Sequence, residues 1–115
     1  MLLNALCVPK TFEQGVSELL KLLLEDLSRP HTFFDDRQEF LCMFHHTVGR
    51  HIRNTWGLWR KWHLYRDIHE RTGLSHADDM SSLLQGAVWD DYHKLPRAFE
   101  SDVHGYQAYW EAQDD

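Results

Sequence analysis

At 115 residues and 43% hydrophobic content, the chain has the size and composition of a single folded domain, 1–115, and is too apolar to be disordered. No apolar run reaches the roughly 18–20 residues of a transmembrane helix, and the first residues lack the basic flank of a signal peptide, so we expect a cytoplasmic protein without a membrane partner. The net charge of −6 at pH 7 argues against general affinity for nucleic acids.

The first predicted helix begins after Thr11. This threonine can cap the helix, and Gln14 can return a hydrogen bond three residues later. The apolar residues that follow repeat at helical spacing: Phe12, Val16, Leu19, Leu20, Leu23, Leu24 and Leu27. Because Pro30 disfavours the helical conformation for the residue before it, we expect the helix to end near Ser28 and Arg29, before a loop that runs to Asp36.

The second and third helices are predicted on either side of Gly57. Asp35 or Asp36 suits the N-terminus of the second helix. Its apolar stripe comprises Phe40, Leu41, Phe44, Val48 and Ile52. The third helix would carry Leu58, Trp62, Tyr65 and Ile68, and Gly73 can end it.

A fourth helix is predicted after a cap at Ser75 or His76, with Asp78 and Asp79 in its first turn, where the helix dipole favours anions. Pro96 ends this helix. Its apolar stripe comprises Met80, Leu83, Leu84, Ala87, Val88, Tyr92 and Leu95.

The acidic tail, 97–115, also contains residues at helical spacing: Val103, Tyr106, Tyr109 and Trp110. They indicate either a short fifth helix that packs back or an arm that reaches a partner, and packing is the favoured interpretation. Since no segment alternates as a half-buried strand does, we predict an all-α fold, a compact bundle of four main helices plus a short C-terminal helix.

Charge is distributed unevenly along the chain. From Phe40 to Arg66 there is no Asp or Glu, and the Arg and Lys residues of this window give +5, which leaves −11 for the rest of the chain. At 100° per residue, His46, Arg50 and Arg53 fall on one side of the second helix, opposite its apolar stripe. We therefore expect a local basic cluster on an otherwise acidic molecule.

Two stretches of the sequence resemble a known family. The run from Gly49 to Trp59 fits a G-x-x-I-R-N-x-W-G-L-W pattern, and His76 to Ser81 fits an H-P-D-D-M-S helix start in which Ala77 replaces the proline. These motifs resemble an uncharacterised family of small helical domains found in bacteria and phages. The likeness covers about 9–95 and implies a compact helical domain, but no biochemical role.

Arg53 allows a structural interpretation and a ligand-binding one, because a guanidinium can bind two oxygens of a carboxylate or of a phosphate. In the structural interpretation, Arg53 pairs with Asp78 or Asp79 and holds two helices in register, while Trp56 and Trp59 fill the core.

In the ligand-binding interpretation, the basic residues line a cavity for an anionic small molecule and a tryptophan stacks on its ring. The two aspartates would orient the arginines or accept a hydrogen bond from a sugar hydroxyl. The predicted ligand-binding residues are His46, Arg50, Arg53, Asn54, Trp56, Trp59, Arg60, Asp78 and Asp79.

No catalytic residue, metal ligand or cofactor is predicted. The nine histidines include no H-E-x-x-H pair, and His46 beside two arginines would repel a cation. Cys7 and Cys42 form no C-x-x-C motif and are expected to be free thiols. Since the chain also lacks a nucleophile motif and a glycine-rich phosphate loop, we predict a protein that is not an enzyme.

The leading hypothesis is therefore a binding module that holds a nucleotide-like or phosphorylated small molecule in a basic and aromatic pocket, and that would sequester a signalling nucleotide if the gene is carried by a phage. The alternative is a protein-interaction module, or an inhibitor, that acts through exposed aromatic residues on another protein or on its own dimer. Nucleic acid is not expected as a partner, because this window offers too few cations for an extended phosphate backbone.

Overall fold

The computed structural model describes residues 8–26 and 35–113, and all regular elements in these two ranges are helical, which confirms the all-α fold. The elements are α1 (Phe12–Asp26), α2 (Arg37–Phe44), a π-helix (His45–Gly49), α3 (Arg50–Thr55), α4 (His63–Thr72), α5 (Ala77–Tyr92) and α6 (Phe99–Gln113). Because α2, the π-helix and α3 follow one another without a break, they form the predicted second helix. The predictions for Cys7, Leu27, the side chain of Leu23, and the helix end before Pro30 lie outside the described residues.

Three of the predicted helix ends form as the sequence predicts, at Thr11, Asp36 and Gly73. Thr11 Oγ1 accepts a hydrogen bond from the Gln14 backbone N–H at 3.1 Å, and Gln14 Oε1 accepts one from the Lys10 backbone N–H at 2.9 Å. Asp36 accepts two backbone N–H groups from the first turn of α2. Gly73 ends α4 in the left-handed conformation, with φ of 76°.

Three details of the predicted elements are wrong. The third helix begins at His63 rather than near Leu58, because a turn of irregular backbone follows Gly57. The fourth helix ends at Tyr92, and Leu95 lies beyond it with 49% of its surface exposed. His76 occupies the N-cap position of α5, but its ring makes no capping hydrogen bond and stacks on Trp110 instead, with centroids 3.6 Å apart.

The core is built around α5, which contacts α1, α2, α3, α4 and α6. Between Ala77 and Asp90 nearly every residue of α5 is buried, as expected of a helix surrounded by others. The predicted tail helix is confirmed as α6, which packs back on α5 through Val103 and the half-buried Tyr106 and Trp110.

The π-helix decides which residues of the second helix face the core. Apolar residues spaced four apart, from Phe40 to Ile52, would drift around a regular α-helix, since four residues exceed one turn. The extra residue of the π-helix rotates the helix after it by about 100° relative to that extrapolation, so Val48 and Ile52 stay buried. The same rotation carries Arg53 from the exposed side to the core.

Gly49 ends the π-helix where α5 approaches most closely. A Cβ atom at this position would lie 2.9 Å from Arg53 Nη1 and would also collide with Gln85 Oε1. A larger residue at this position would displace the ends of the Gln85 and Arg53 side chains, which glycine leaves in place.

Candidate functional site

Arg53 is a structural residue. Only 5% of its surface is exposed; Nη1 donates to Ser81 Oγ at 2.9 Å and Nη2 donates to the His45 carbonyl at 3.1 Å. Its Nε lies 3.2 Å from Asp78 Oδ1. Burial lowers the pKa of Arg53, and the nearby charge of Asp78 opposes that shift. The arginine therefore joins α3 to the first turns of α5, in agreement with the structural interpretation. The prediction that Arg53 shares an exposed face with His46 is wrong.

Three more of the predicted ligand-binding residues serve the fold. Trp56 is buried in the core, with 1% of its surface exposed. The side chain of Asp78 is 57% exposed and forms an ion pair with Arg53. Asp79 accepts the indole N–H of Trp110 at 2.7 Å, which fastens α6 to α5. These residues do not converge on a common cavity.

Four other predicted residues remain at the surface: Arg50, Asn54, Trp59 and Arg60 are all exposed. Arg50 and Asn54 lie one turn apart on α3, whereas Trp59 and Arg60 lie in the turn that links α3 to α4. Trp59 is not a core residue, because 58% of its surface faces solvent.

That turn, Gly57–Trp62, carries basic and aromatic side chains at the surface, and we call it the basic-aromatic turn. The Gly57 carbonyl accepts the backbone N–H groups of both Arg60 and Trp62, at 3.1 and 3.2 Å. Gly57 has φ of 75°, and the Trp62 ring lies so close to it that a Cβ atom there would overlap the indole. Lys61 also has a positive φ, which gives this turn a well-defined and costly backbone shape.

The side chains of this turn are bound to aromatic rings rather than to acids. The Arg60 guanidinium lies over the Trp62 ring at 5.5 Å, and Lys61 Nζ lies 6.0 Å from the Tyr65 ring centroid. Trp62 itself is 41% exposed, although the sequence placed it in a helical apolar stripe. A basic and aromatic surface thus stands out from the molecule.

The cations of the acid-free window differ from the other arginines in their partners. Within 8–26 and 35–113, no carboxylate forms an ion pair with Arg50, Arg60, Lys61 or Arg66. By contrast, each remaining described arginine pairs with at least one acid: Arg37, Arg53, Arg71 and Arg97. Surface positive charge is therefore left available on the turn and on α3 and α4.

His46 lies elsewhere, in a groove of about 500 Å³ between α2, the π-helix and α6. The arginine of that groove, Arg37, already makes four hydrogen bonds to Asp90 and Asp102. Burial alone would lower the pKa of Arg37, but hydrogen bonds to the two aspartates outweigh burial and raise it. The groove therefore offers hydroxyl, thiol and imidazole groups rather than a free guanidinium.

Two parts of this arrangement are absent from the predictions made from sequence. One is an ion-pair network across three helices, formed by Arg37, Asp90 and Asp102. No local pattern predicts this network, because Asp90 and Asp102 lie 53 and 65 positions after Arg37. The exposure of Trp62 was also missed, although a signal existed: a glycine that breaks the helix precedes a run in which tryptophans and cations alternate.

No helix within the described ranges is both long enough and apolar enough to cross a bilayer. In the same part of the chain, no three His, Cys, Asp or Glu side chains come together as a metal site would require. Cys42 is exposed and is a free thiol.

The fold and the site define a small all-helical domain with a basic and aromatic turn on its surface. Residues 8–92 match the family described as a domain of unknown function, DUF6794, and the chain belongs to that family. The family region includes α1 to α5 and the basic-aromatic turn, whereas α6 lies outside it. No significant match exists among curated proteins or among solved structures.

Proposed function

We propose that this protein is a non-enzymatic interaction module, which docks on an acidic surface of another protein through the basic-aromatic turn. The observation that carries the proposal is the exposure of Trp59 and Trp62 next to Arg60 and Lys61, two cations that form no ion pair with an acid of residues 8–26 or 35–113. Tryptophan and arginine dominate the binding energy of protein interfaces, because they bury a large area and can pair with charges.

The rigidity of the turn supports the same proposal. Ordering a mobile loop on binding costs free energy, typically about 0.5–1.5 kcal/mol for each long side chain that is immobilised. Here the double acceptor at Gly57 and the packing of Trp62 on it fix the backbone before any partner arrives. The Arg60 guanidinium is likewise already positioned over an indole.

The geometry supports a small anionic ligand less well. Small-molecule sites are concave, and the four cavities described at the surface are not lined by Arg50, Arg53 or Arg60. Arg53 and Trp56 are buried in the core. The cations that remain are exposed and lie outside these four cavities, which suits a partner large enough to cover them.

Charge-reversal and truncation variants test the proposal. The immobilised protein, Trp59→Ala, Arg60→Glu and Lys21→Glu are compared for the acidic proteins they retain from a lysate of the source cells, at low and high salt. Lys21→Glu is the matched control, because Lys21 is exposed on α1, away from the turn. We expect the wild type and the control to retain the same acidic protein, with weaker retention at high salt, and the two turn variants to lose it.

Two outcomes would overturn the proposal. One is that no acidic protein depends on Trp59 and Arg60 for retention. The other is a thermal shift with a nucleotide, a cyclic nucleotide or a sugar phosphate that Arg60→Glu abolishes, since a ligand at 100 times its Kd stabilises its binding protein by about 2.7 kcal/mol. That result would assign the surface to a phosphorylated small molecule.

A further inference from the structure

A small apolar pocket lies directly beside the basic-aromatic turn. It has a volume of about 250 Å³ and is lined by Val8, Pro9, Lys10, Trp62 and His63. Its walls are the Trp62 ring and the segment that enters α1, so the pocket lies where the N-termini of α1 and α4 approach each other. A small-molecule site usually measures about 300–1,000 Å³, so this pocket is closer in size to one large side chain.

The rim of the pocket is positively charged on the side of the turn. Lys10 lines the pocket, Arg60 lies over the Trp62 ring, and Arg66 follows Trp62 by one helical turn. Trp62 is also the N-cap of α4 and makes no capping hydrogen bond through its side chain. An indole has no acceptor for the first-turn N–H groups, so the partly positive end of α4 faces this rim uncapped.

On the opposite side of Pro9 the surface is negatively charged. There, Val8 and Pro9 line a second cavity together with Glu13 and Glu18, of which Glu13 is paired with Arg97. An acidic partner would be repelled from Glu18 and attracted towards Lys10 and the turn. The charges thus give the pocket a preferred direction of approach.

We propose that the pocket accepts one bulky apolar side chain from an acidic peptide segment of the partner, whose carboxylates pair with the surrounding cations. This inference rests on the proposed function and adds a recognition rule to it: an aliphatic or aromatic anchor residue with acidic residues on both sides. The anchor is buried against Trp62 and Pro9, while its neighbours contact Lys10, Arg60 and Lys61.

Fluorescence polarisation with three labelled peptides tests the rule on the full chain. The first peptide consists of Glu and Gly with one central Leu, the second replaces the Leu with Ala, and the third replaces each Glu with Gln. We expect the Ala peptide to bind about tenfold more weakly than the Leu peptide, because a buried anchor is worth at least about 1.4 kcal/mol. The Gln peptide should lose most of its affinity and its salt dependence.

Variants of the protein locate the contact. Lys10→Glu and His63→Glu place acids near the N-termini of α1 and α4, where the helix dipole favours them, so both variants should fold and bind the Leu peptide about tenfold more weakly. Lys21→Glu, in the middle of α1, should bind as the wild type does. Trp62→Ala should remove most of the difference between the Leu and Ala peptides, which a double-mutant cycle measures. If Trp62→Ala is unfolded, weaker binding of the Leu peptide by Lys10→Glu and His63→Glu still tests the pocket.

The outcomes separate this inference from the proposed function. Equal binding of the Leu and Ala peptides, or no binding of either, refutes the pocket rule; if Trp59→Ala and Arg60→Glu still lose the acidic partner protein, the proposed function survives. If those variants retain the partner too, both fail. Because the C-terminal residues of the chain are acidic, sedimentation is also needed: a dimer that Lys10→Glu and His63→Glu dissociate would assign the pocket to a second copy and overturn the inference.

Discussion

Replacing Arg53 by alanine should destabilise the protein strongly, although arginines are usually surface residues. The substitution removes a guanidinium that donates to Ser81 Oγ and to the His45 carbonyl, and it leaves a void between α3 and α5. Hydrogen bonds from a charged group are worth about 1.5–3 kcal/mol each. The hydrogen bond to Ser81 is buried and the one to the His45 carbonyl is partly buried, and both acceptors would lose this donor.

The ion pair with Asp78 should contribute much less. Because 57% of the Asp78 side chain is exposed, water can replace the guanidinium, and such pairs contribute about 0–1 kcal/mol. Returning the arginine to water in the unfolded state offsets part of the hydrogen-bond term. We therefore expect Arg53→Ala to lower the free energy of unfolding by about 2–4 kcal/mol. Arg53→Met keeps the packing of the aliphatic stem and should lower it by about 1–2 kcal/mol.

Urea denaturation followed by circular dichroism measures this loss. With a slope of about 1–3 kcal/mol per molar urea, the midpoint of Arg53→Ala should fall by about 1–2 M at an unchanged slope. Arg71→Ala is the matched control, because Arg71 pairs with Asp67 across one helical turn at 46% exposure and should change stability by less than about 1 kcal/mol. If the two variants were equally stable, Arg53 would not form the buried contacts and would again be available to a ligand.

Two further predictions concern buried polar groups. Gln85 is fully buried, and neither its amide oxygen nor its amide nitrogen has a hydrogen-bond partner among the residues that the structure describes, so Gln85→Met should raise the free energy of unfolding by about 1–2 kcal/mol; a loss of stability in urea denaturation would show that the amide is bonded. Burial, together with the charge of Arg53, lowers the pKa of His45 below its usual 6.5. The unfolded chain then binds more protons just below pH 6.5, so the contribution of this histidine is complete above that pH and is lost as the pH falls towards the lowered pKa. His45→Gln should therefore lose less stability than the wild type between about pH 7 and pH 5 in parallel urea titrations, and identical pH profiles would contradict the assignment.

The capping residues and the apolar stripes were predictable from sequence because their causes are local. Thr11 and Gln14 bond to each other within one turn, and Gly73 supplies a left-handed residue directly after α4. The stripe of α5 likewise needs only the helical period. The acid-free window is a property of the chain itself, and it includes the turn that carries Arg60 and Lys61.

The burial of individual residues could not be predicted in the same way. Trp56 and Trp62 are six positions apart in one basic stretch, yet the first is in the core and the second is 41% exposed. Their separation depends on the left-handed Gly57 and on the tight turn that follows it. The pocket beside Trp62 needs Val8 and Pro9 from the start of the described chain, which no nearby pattern connects with residue 62.

Sequence alone determined the order of the helices, several of their ends and the place where positive charge accumulates, because hydrogen bonding within a helix and charge composition depend on near neighbours. Only the tertiary structure decided which cations are free. One extra residue in the π-helix turns Arg53 into the core, where Ser81 and Asp78 of a distant helix bind it. Arg60, by contrast, pairs with no acid in the part of the chain that the structure describes. Such pairings depend on contacts between helices that are far apart in the chain, and for that reason they follow from the packed fold rather than from any local pattern.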